Sequence, residues 1–411
     1  MSTSILIVGN SYHTLRDYLE EHDYDYVTLK DVRLTKFPDK KLRHREVADF
    51  SDRQELFKAV DRVHEQYSFD GVMVVYESYV FVAAEIAAYL GVPAMPLEAA
   101  RACTDKFLMR QKFAQAPIKI SPDFALVESE EGIRDFATKF GFPLILKPAH
   151  LAKSLLVTKN HSLEELLRNY ERTTKNIDAV YAKYAPRVAP RLVIEEFLEG
   201  PVHSVDAFVD SSGTPHVLDG VVDYQTGYDI GYDDNFHYSR LLPSKLNRED
   251  VEKIREVAAV GCRALGMKNS PAHVEIIRTK DGPRIVEIGA RNGGYRERMY
   301  GLANGLNITG NAVRTALGEP LDIRSTRNEP VAVLELFPKK PGVFDHLANE
   351  DKLRALPSLE YLRVKATPGN FVGKSSDGYK MCAVVVLHSP DRAQFEQDLA
   401  FVNNHVAVIT R

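Results

Sequence analysis

Two glutamates late in the sequence have the spacing of a paired-carboxylate site. Glu275 and Glu287 each lie in a short apolar run, and Lys280-Asp281-Gly282 lies about midway between them. This pattern predicts a β-hairpin that brings the two carboxylates together. Two carboxylates about 4 Å apart repel by roughly 4 kcal/mol at an effective dielectric of 20, so such a pair needs a shared proton or a cation. Mg²⁺ prefers a few carboxylates plus phosphate oxygens, so the pair is a candidate Mg–ATP site; two ordinary surface residues are the alternative.

The run Arg291-Asn292-Gly293-Gly294 follows the second glutamate closely. An arginine fork can hold a carboxylate or a phosphate through two parallel hydrogen bonds. The glycines let backbone N–H groups approach an anion. Alone, such a run is typical of a turn, but its position directly after an acidic hairpin favours an anion-binding role.

The segment 194–201, Ile-Glu-Glu-Phe-Leu-Glu-Gly-Pro, is a candidate for binding a flat ligand. A purine needs an acceptor for its exocyclic amine and a backbone N–H for a ring nitrogen, and a strand that runs into a loop offers both. Taken by itself, the segment is more typical of an edge strand with acidic flanks.

Two lysines are candidates for holding phosphates. Lys147 ends a strongly apolar strand and precedes Pro148, so its ammonium emerges at a strand end, where α/β domains bind ligands. Lys106 follows Asp105 near the start of a predicted helix. Exposed surface lysine is the alternative for both, because lysine is seldom buried.

Apolar strands and amphipathic helices alternate over residues 1–100, the first of the elements that must position these residues. This alternation predicts a parallel α/β sheet. Strands are predicted at 5–8 and 71–75, and helices at 51–67, with Ser51 as its N-cap, and at 82–90. No GxGxxG run follows the first strand, so no dinucleotide site is expected there.

The rest of the chain mixes helices and strands with one long predicted loop. The predicted helices are 105–114, 130–140, 162–172, 248–265 and 391–403. The predicted strands are 144–147, 192–196, 204–209, 216–222, 272–278, 284–288, 331–337 and 380–386. Residues 223–240, rich in Tyr, Asp and Gly, are predicted to form a loop.

The composition is that of an ordinary globular protein. The chain has 411 residues, 44% hydrophobic and 27% charged, with a net charge of −4, which gives no reason to expect a nucleic-acid partner. No apolar run approaches the roughly 20 residues that span a bilayer, and the N-terminus has no secretory pattern, so no membrane association is expected. Three widely spaced cysteines indicate neither a zinc site nor a disulfide framework and fit a cytoplasmic compartment.

Together these motifs resemble those of the ATP-grasp superfamily of ligases, over roughly residues 1–310. The resemblance rests on the order of Asp105-Lys106, Lys147-Pro148, Glu195 to Leu198, His273-Val274-Glu275, Glu287 and Arg291 to Gly294. The run 287–291, Glu-Ile-Gly-Ala-Arg, is similar to that of the L-amino-acid ligases that form dipeptides. The resemblance implies an α/β and α+β multidomain fold. Its expected parts are an N-terminal Rossmann-like domain (1–100), an ATP-grasp small or lid subdomain (101–190), a large subdomain with the Mg–ATP site (191–320) and a C-terminal α+β subdomain (321–411).

The resemblance also implies roles for single residues. The nucleotide is expected to contact Lys106, Lys147 and Ser154 with its phosphates, His203 with its ribose, and Glu195, Glu196, Phe197 and Leu198 with its adenine. The implied magnesium ligands are Glu275 and Glu287, with Mn²⁺ as a substitute metal, and Arg291 is expected to face the acyl phosphate. The expected substrate contacts are His237, Arg240, His273, Asn292 and Gly293, although a structural role for His237 or Arg240 is an equal alternative.

The implied activity is ATP-dependent ligation of a carboxylate to an amine through an acyl phosphate, on amino-acid-like small molecules, by a cytoplasmic protein that could be a homodimer. An ATP-grasp carboxylase or purine-pathway ligase is one alternative, and a non-catalytic nucleotide-binding regulator is another. Two departures from the family pattern bear on this. The segment 148–157 after the second lysine lacks glycine, and Gly289 stands where many relatives have a metal-binding asparagine.

Overall fold

The N-terminal unit is a parallel sheet flanked by helices. The structure, a computed structural model, describes residues 2–34, 44–151, 155–185 and 188–411. The strands of this unit are β1 (Ser4–Val8), β2 (Asp25–Asp31), β3 (Arg45–Ala48) and β4 (Gly71–Val74). They pair in the order β3-β2-β1-β4, all in parallel. The helices are α1 (His13–Glu21), α2 (Arg53–Tyr67), α3 (Val80–Leu90), α4 (Leu97–Thr104) and α5 (Lys106–Phe113).

The predicted α/β alternation is confirmed in this unit. All five residues of β1 are buried, as expected for a strand covered by helices on both faces. One detail was wrong, because the N-cap of α2 is Asp52 and not Ser51. The Asp52 carboxylate accepts the N–H groups of Gln54 and Glu55, whereas the Ser51 hydroxyl donates to Asp49.

The second unit is a small antiparallel sheet backed by two helices. Its elements are β5 (Phe124–Val127), α6 (Glu130–Phe140), β6 (Leu144–Pro148), β7 (Thr158–Asn160), α7 (Leu163–Tyr184) and β8 (Leu192–Glu196), with strand order β5-β8-β6-β7. Helix α7 is longer than the predicted 162–172. Its buried residues Ile177 and Tyr181 continue, at helical spacing, the face that begins with Leu166.

The third unit is built on an eight-stranded sheet. The elements up to residue 317 are β9 (Val202–Val209), β10 (Pro215–Thr226), β11 (His237–Leu242), α8 (Arg248–Ala264), β12 (Ser270–Thr279), β13 (Gly282–Gly289), α9 (Arg296–Asn304) and α10 (Ile308–Leu317). The predicted loop at 223–240 was therefore wrong at both ends. Residues 223–226 complete β10, and the last four belong to β11.

The remaining residues extend the same sheet and add a smaller one. They form β14 (Val331–Leu336), β15 (Gly342–Leu347), α11 (Glu350–Arg354), β16 (Leu359–Val364), β17 (Phe371–Val372), β18 (Ala383–His388), α12 (Arg392–His405) and β19 (Val408–Thr410). The large sheet has the order β13-β12-β9-β10-β11-β14-β18-β16, and the small one β17-β15-β19. Among the helices in the described ranges, none is long and apolar enough to cross a membrane.

Candidate active site

The predicted hairpin is present and places the two glutamates face to face. Strands β12 and β13 are antiparallel, and Glu275 lies directly opposite Glu287 in their register. Val274 and Ile288 are fully buried against α8, which fixes the faces of both strands. A β-bulge follows Glu275, a feature that often re-aims a side chain beside a functional site. Each carboxylate remains partly accessible, with 32% of the Glu275 side chain and 25% of the Glu287 side chain exposed.

Lys106 lies beside this pair. Its Nζ is 3.2 Å from Oε2 of Glu287 and donates to the carbonyl of Leu151 at 2.9 Å. Asp105 caps α5 and so holds Lys106 at the first position of that helix. Burial opposes the charge on this lysine, but the Glu287 carboxylate outweighs it and raises the pKa of Lys106. A cation is therefore fixed next to the carboxylates.

The second lysine lies in a buried cluster of charges with Glu195. Nζ of Lys147 is 2.7 Å from one oxygen of the Glu195 carboxylate, and Nε of Arg110 is 3.0 Å from the other. Burial lowers the pKa of Lys147 to about 8 despite the neighbouring carboxylate. Arg110 also donates to the carbonyl of Val286 at 2.7 Å, so it joins β8 to the strand that carries Glu287. The adenine contact predicted for Glu195 stays a prediction, since its carboxylate is engaged by these two cations.

The rest of the predicted nucleotide segment lies where β8 ends. Glu196 is partly exposed and accepts the backbone N–H of Asp123, and the ammonium of Lys159 lies 3.7 Å from the ring centre of Phe197. Leu198 follows in the loop before β9. Ser154 lies outside the described residues.

His203 is placed apart from the carboxylate pair. Ser204, its neighbour on β9, lies opposite Glu275, so alternation sends the His203 side chain to the other face of the sheet. His203 is buried, and its Nδ1 pairs with Asp223 at 2.9 Å. Its Nε2 has no hydrogen-bond partner within the described ranges. The ribose contact stays a prediction.

Behind Glu275 lies a buried network around Asp206. The Asp206 carboxylate pairs with Nδ1 of His273 at 2.9 Å and accepts Nε of Arg296 at 2.9 Å. Burial alone would lower the pKa of His273, but Asp206 overcomes it and raises that pKa to about 9. The imidazolium Nε2 then lies 3.6 Å from Glu275. Although burial opposes ionisation of Glu275, the ion pair with His273 lowers its pKa to about 2.

The glycine-containing turn packs against this network. The N–H of Gly293 donates to Asp206 at 3.3 Å, and a Cβ at Gly293 would lie 2.4 Å from the His273 ring, so only glycine fits. Asn292 is half-buried, and its carbonyl accepts Nη1 of Arg291. In the structure, His273 and Gly293 contact this network; their predicted substrate contacts stay predictions.

Arg291 faces a carboxylate from the N-terminal unit. Its Nε lies 3.0 Å from Oε2 of Glu77, just beyond the carboxyl end of β4. Both Glu77 oxygens are buried and lack a hydrogen-bond partner of good geometry in the described part of the chain. Burial raises the pKa of Glu77 to about 7. The charge of Arg291 lowers this pKa, but the nearby carboxylate of Glu287 partly cancels that effect.

A further polar cluster adjoins Glu275 on the same face of the sheet. Arg240 lies opposite Tyr224 on β10, and its Nη2 is 3.4 Å from Oε2 of Glu335 on β14. The hydroxyl of Tyr295 donates to the other oxygen of Glu335 at 2.7 Å. Burial and the charge of Arg240 lower the pKa of His237 to about 4, so this imidazole is neutral near pH 7.

Comparison with known proteins identifies a domain in the part of the chain that carries this site. A family model described as an ATP-grasp domain matches residues 140–297. Those residues form an ATP-grasp domain. The L-amino acid ligase from Bacillus licheniformis has the same fold, with a TM-score of 0.80 and 18% identity over 100% of this chain and 99% of that one. The predicted ATP-grasp fold is thus confirmed.

Two curated relatives extend the ATP-grasp comparison. The uncharacterized protein y4rH of Sinorhizobium fredii is 22% identical over 373 residues, 90% of this chain and 72% of the relative. The alanine–anticapsin ligase of Bacillus subtilis is 26% identical over 263 residues, 61% of this chain and 55% of the relative. The chain thus spans about half of the length of that ligase.

Several residues of this candidate site were missed by sequence reasoning. Glu77 had a usable signal, because it follows a predicted parallel strand at the end where ligands bind. The others have no local pattern, since each reaches the site from a separate strand or helix. They are Arg110, Asp206, Tyr295, Arg296 and Glu335.

Proposed function

We propose that this protein is an ATP- and magnesium-dependent ligase that joins a carboxylate to an amine through an acyl phosphate. The observation that carries the proposal is the facing pair Glu275–Glu287 with Lys106 beside it. The proposed substrates are amino-acid-like small molecules. The ATP-grasp fold and the similarity to a protein named as an amino-acid ligase support this choice.

The donor set suits Mg²⁺. Two partly exposed carboxylates on adjacent strands match an ion that takes one or two carboxylates and fills its remaining positions with water and phosphate oxygens. Within the described ranges no group of three His, Cys, Asp or Glu side chains could hold a metal alone, which favours joint binding with a nucleotide. When bound, Mg²⁺ would offset the charge of the ATP phosphates. Mn²⁺ also prefers oxygen ligands, and we propose it as a substitute.

The first step transfers the γ-phosphoryl group of ATP to the substrate carboxylate and releases ADP. A carboxylate resists nucleophilic attack, and the mixed anhydride supplies a leaving group. Lys106 and Lys147 are proposed to bind the phosphates and to offset the charge of the transition state. Arg240 is proposed to hold the carboxylate of an amino-acid substrate, and Glu335 its ammonium group. A bound zwitterion would replace the ion pair between Arg240 and Glu335, so each of these buried charges would keep an opposite charge beside it.

In the second step the amine attacks the acyl carbon and phosphate leaves. Arg291 is proposed to stabilise the oxyanion that develops on the carbonyl. The attacking amine must lose a proton, and Glu77 is proposed to accept it. A base whose pKa is about 7 is well matched to this task near neutral pH.

The activity is tested by incubating the protein with Mg–ATP and pairs of amino acids and amines. ADP, phosphate and the condensed product are measured, the last by mass spectrometry. ADP release that depends on both a carboxylate and an amine is expected, and Glu287→Gln should lower turnover at least 100-fold. Dependence on bicarbonate would indicate a carboxylase instead. If the protein binds nucleotide without metal and no pair of carboxylate and amine is turned over, it is a non-catalytic nucleotide-binding regulator.

We also propose a cytoplasmic homodimer without nucleic-acid or membrane partners. The net charge of −4 offers no basis for binding a phosphate backbone. Sedimentation of the purified protein tests the dimer.

A further inference from the structure

A large chamber lies between the N-terminal unit and the helices that follow the Arg291 turn. Its volume is about 820 Å³, toward the upper end of the roughly 300–1,000 Å³ typical of small-molecule sites. Small and aliphatic side chains from β4 and α3 form one wall, and α9 and α10 form the other. The residues that define the two walls are Met73, Ala84 and Ala87, and Leu302, Ala312 and Ala316.

Among the described residues that line the chamber, none places an unpaired charge in its deep part. Arg296 reaches its wall, but the guanidinium donates to Asp206, Ser204 and Tyr224 and is fully buried. Glu297 and Arg298 are exposed and so lie toward solvent. Because an unpaired charge is disfavoured in apolar surroundings, whatever fills the deep part must be uncharged and largely apolar.

The chamber reaches the reacting groups at one end. Residues 292–295, which directly follow Arg291, form part of its wall. Tyr12 lines the same end, where its ring packs against Tyr76 with centroids 5.4 Å apart. Tyr76 precedes Glu77, whose carboxylate pairs with Arg291. The apolar chamber and the proposed proton acceptor are therefore neighbours.

We infer that this chamber binds the apolar body of the amine substrate, with the amine held at its Glu77 end. The substrate class is a primary amine with a branched or aromatic apolar group, apolar amino acids included. The placement of the amino group at the Glu77 end rests on the proposed function.

Alanines of one helix provide a matched test. Ala87 faces the chamber and is buried, whereas its neighbour Ala88 is exposed and does not line it. Ala87→Leu should lower kcat/KM for L-phenylalanine as the amine at least tenfold while changing that for glycine less than twofold. Ala88→Leu should leave both unchanged. Equal loss for both amines, or no loss for either, would overturn the inference.

A binding measurement separates this inference from the proposed activity. Equilibrium dialysis of labelled L-phenylalanine and L-glutamate needs no turnover. Ala87→Leu should reduce the affinity for L-phenylalanine at least tenfold and leave any binding of L-glutamate unchanged. If Ala87→Leu weakens the binding of L-phenylalanine but no amine is ligated, the chamber assignment is supported and the proposed ligase activity is wrong. If ligation occurs but the variant binds as tightly as the parent, the chamber assignment fails. Should Ala87→Leu not fold by circular dichroism, Ala316→Leu fills the opposite wall, with the same outcomes.

Discussion

Replacing Asp206 with asparagine should destabilise the protein far more than an equivalent change at its surface. Asp206 is 5% exposed and accepts bonds from Arg296, His273 and the N–H of Gly293. The Asp206→Asn variant would keep nearly the same volume but lose the charge that Arg296 requires. Arg296 is fully buried and cannot deprotonate, so it would remain as an uncompensated buried cation.

The size of the effect follows from that uncompensated charge. Removing one partner of a buried ion pair costs about 3–5 kcal/mol in the free energy of unfolding. Each kcal/mol lowers the melting temperature by about 2–4 °C in a cooperative unit of 150–250 residues, which gives a decrease of about 6–20 °C. His273 would also lose the carboxylate that keeps it protonated, so its ion pair with Glu275 would weaken.

Scanning calorimetry, supported by circular dichroism because the chain has no tryptophan, measures this difference. Asp219→Asn is the control. Asp219 pairs with Arg255 at 3.0 Å, but 66% of its side chain is exposed, and such surface pairs contribute about 0–1 kcal/mol. A loss at Asp206 no larger than that at Asp219 would refute the view that this network holds an obligatory buried charge.

Two further predictions concern turnover. The basic form of Glu77 exists above its pKa of about 7, so kcat/KM should rise as the pH increases through that value. Glu77→Gln should abolish this rise. If the rise persists in the variant, another group is responsible for it. Asp234 accepts the N–H groups of Ser375 and Ser376 and so ties the segment before His237 to the C-terminal residues. Asp234→Ala should raise KM for the amino-acid substrate severalfold, since a lost buried acceptor costs about 1–3 kcal/mol. Asp233→Ala, whose side chain is 94% exposed, should not; equal KM changes in both variants would contradict this.

The carboxylate pair could be predicted because its geometry is local. A two-residue turn fixes the register of β12 against β13 as far as Ile276 opposite Ile285, and the β-bulge after Glu275 then shifts the pairing by one residue and brings Glu275 opposite Glu287. The sequence therefore predicts the hairpin and the nearness of the two glutamates, but not the bulge that sets their exact pairing. The capping of α5 by Asp105 is local as well. Such features depend on fewer than twenty consecutive residues and leave a readable pattern.

The remaining site residues could not be predicted because their neighbours are distant in sequence. Asp206 meets Arg296 only after β9 and β12 pair, and Glu335 meets Arg240 only across β14 and β11. The predicted loop at 223–240 was wrong for a related reason. Tyr224, in this segment, is buried in a strand, and its hydroxyl accepts a hydrogen bond from Arg296. This distant partner allows a polar residue in a strand interior, whereas hydropathy alone predicts a loop.

The single sheet that runs from β13 to β16 limits how this chain can be divided. A recombinant fragment that stopped near residue 320 would strip β14 from β11 and leave the backbone of 239–242 as a bare edge beside buried apolar side chains. Such a piece is expected to aggregate, although the matched ATP-grasp segment ends well before that point. The last ninety or so residues therefore belong in any expression clone, and fusion partners are best attached at the chain termini.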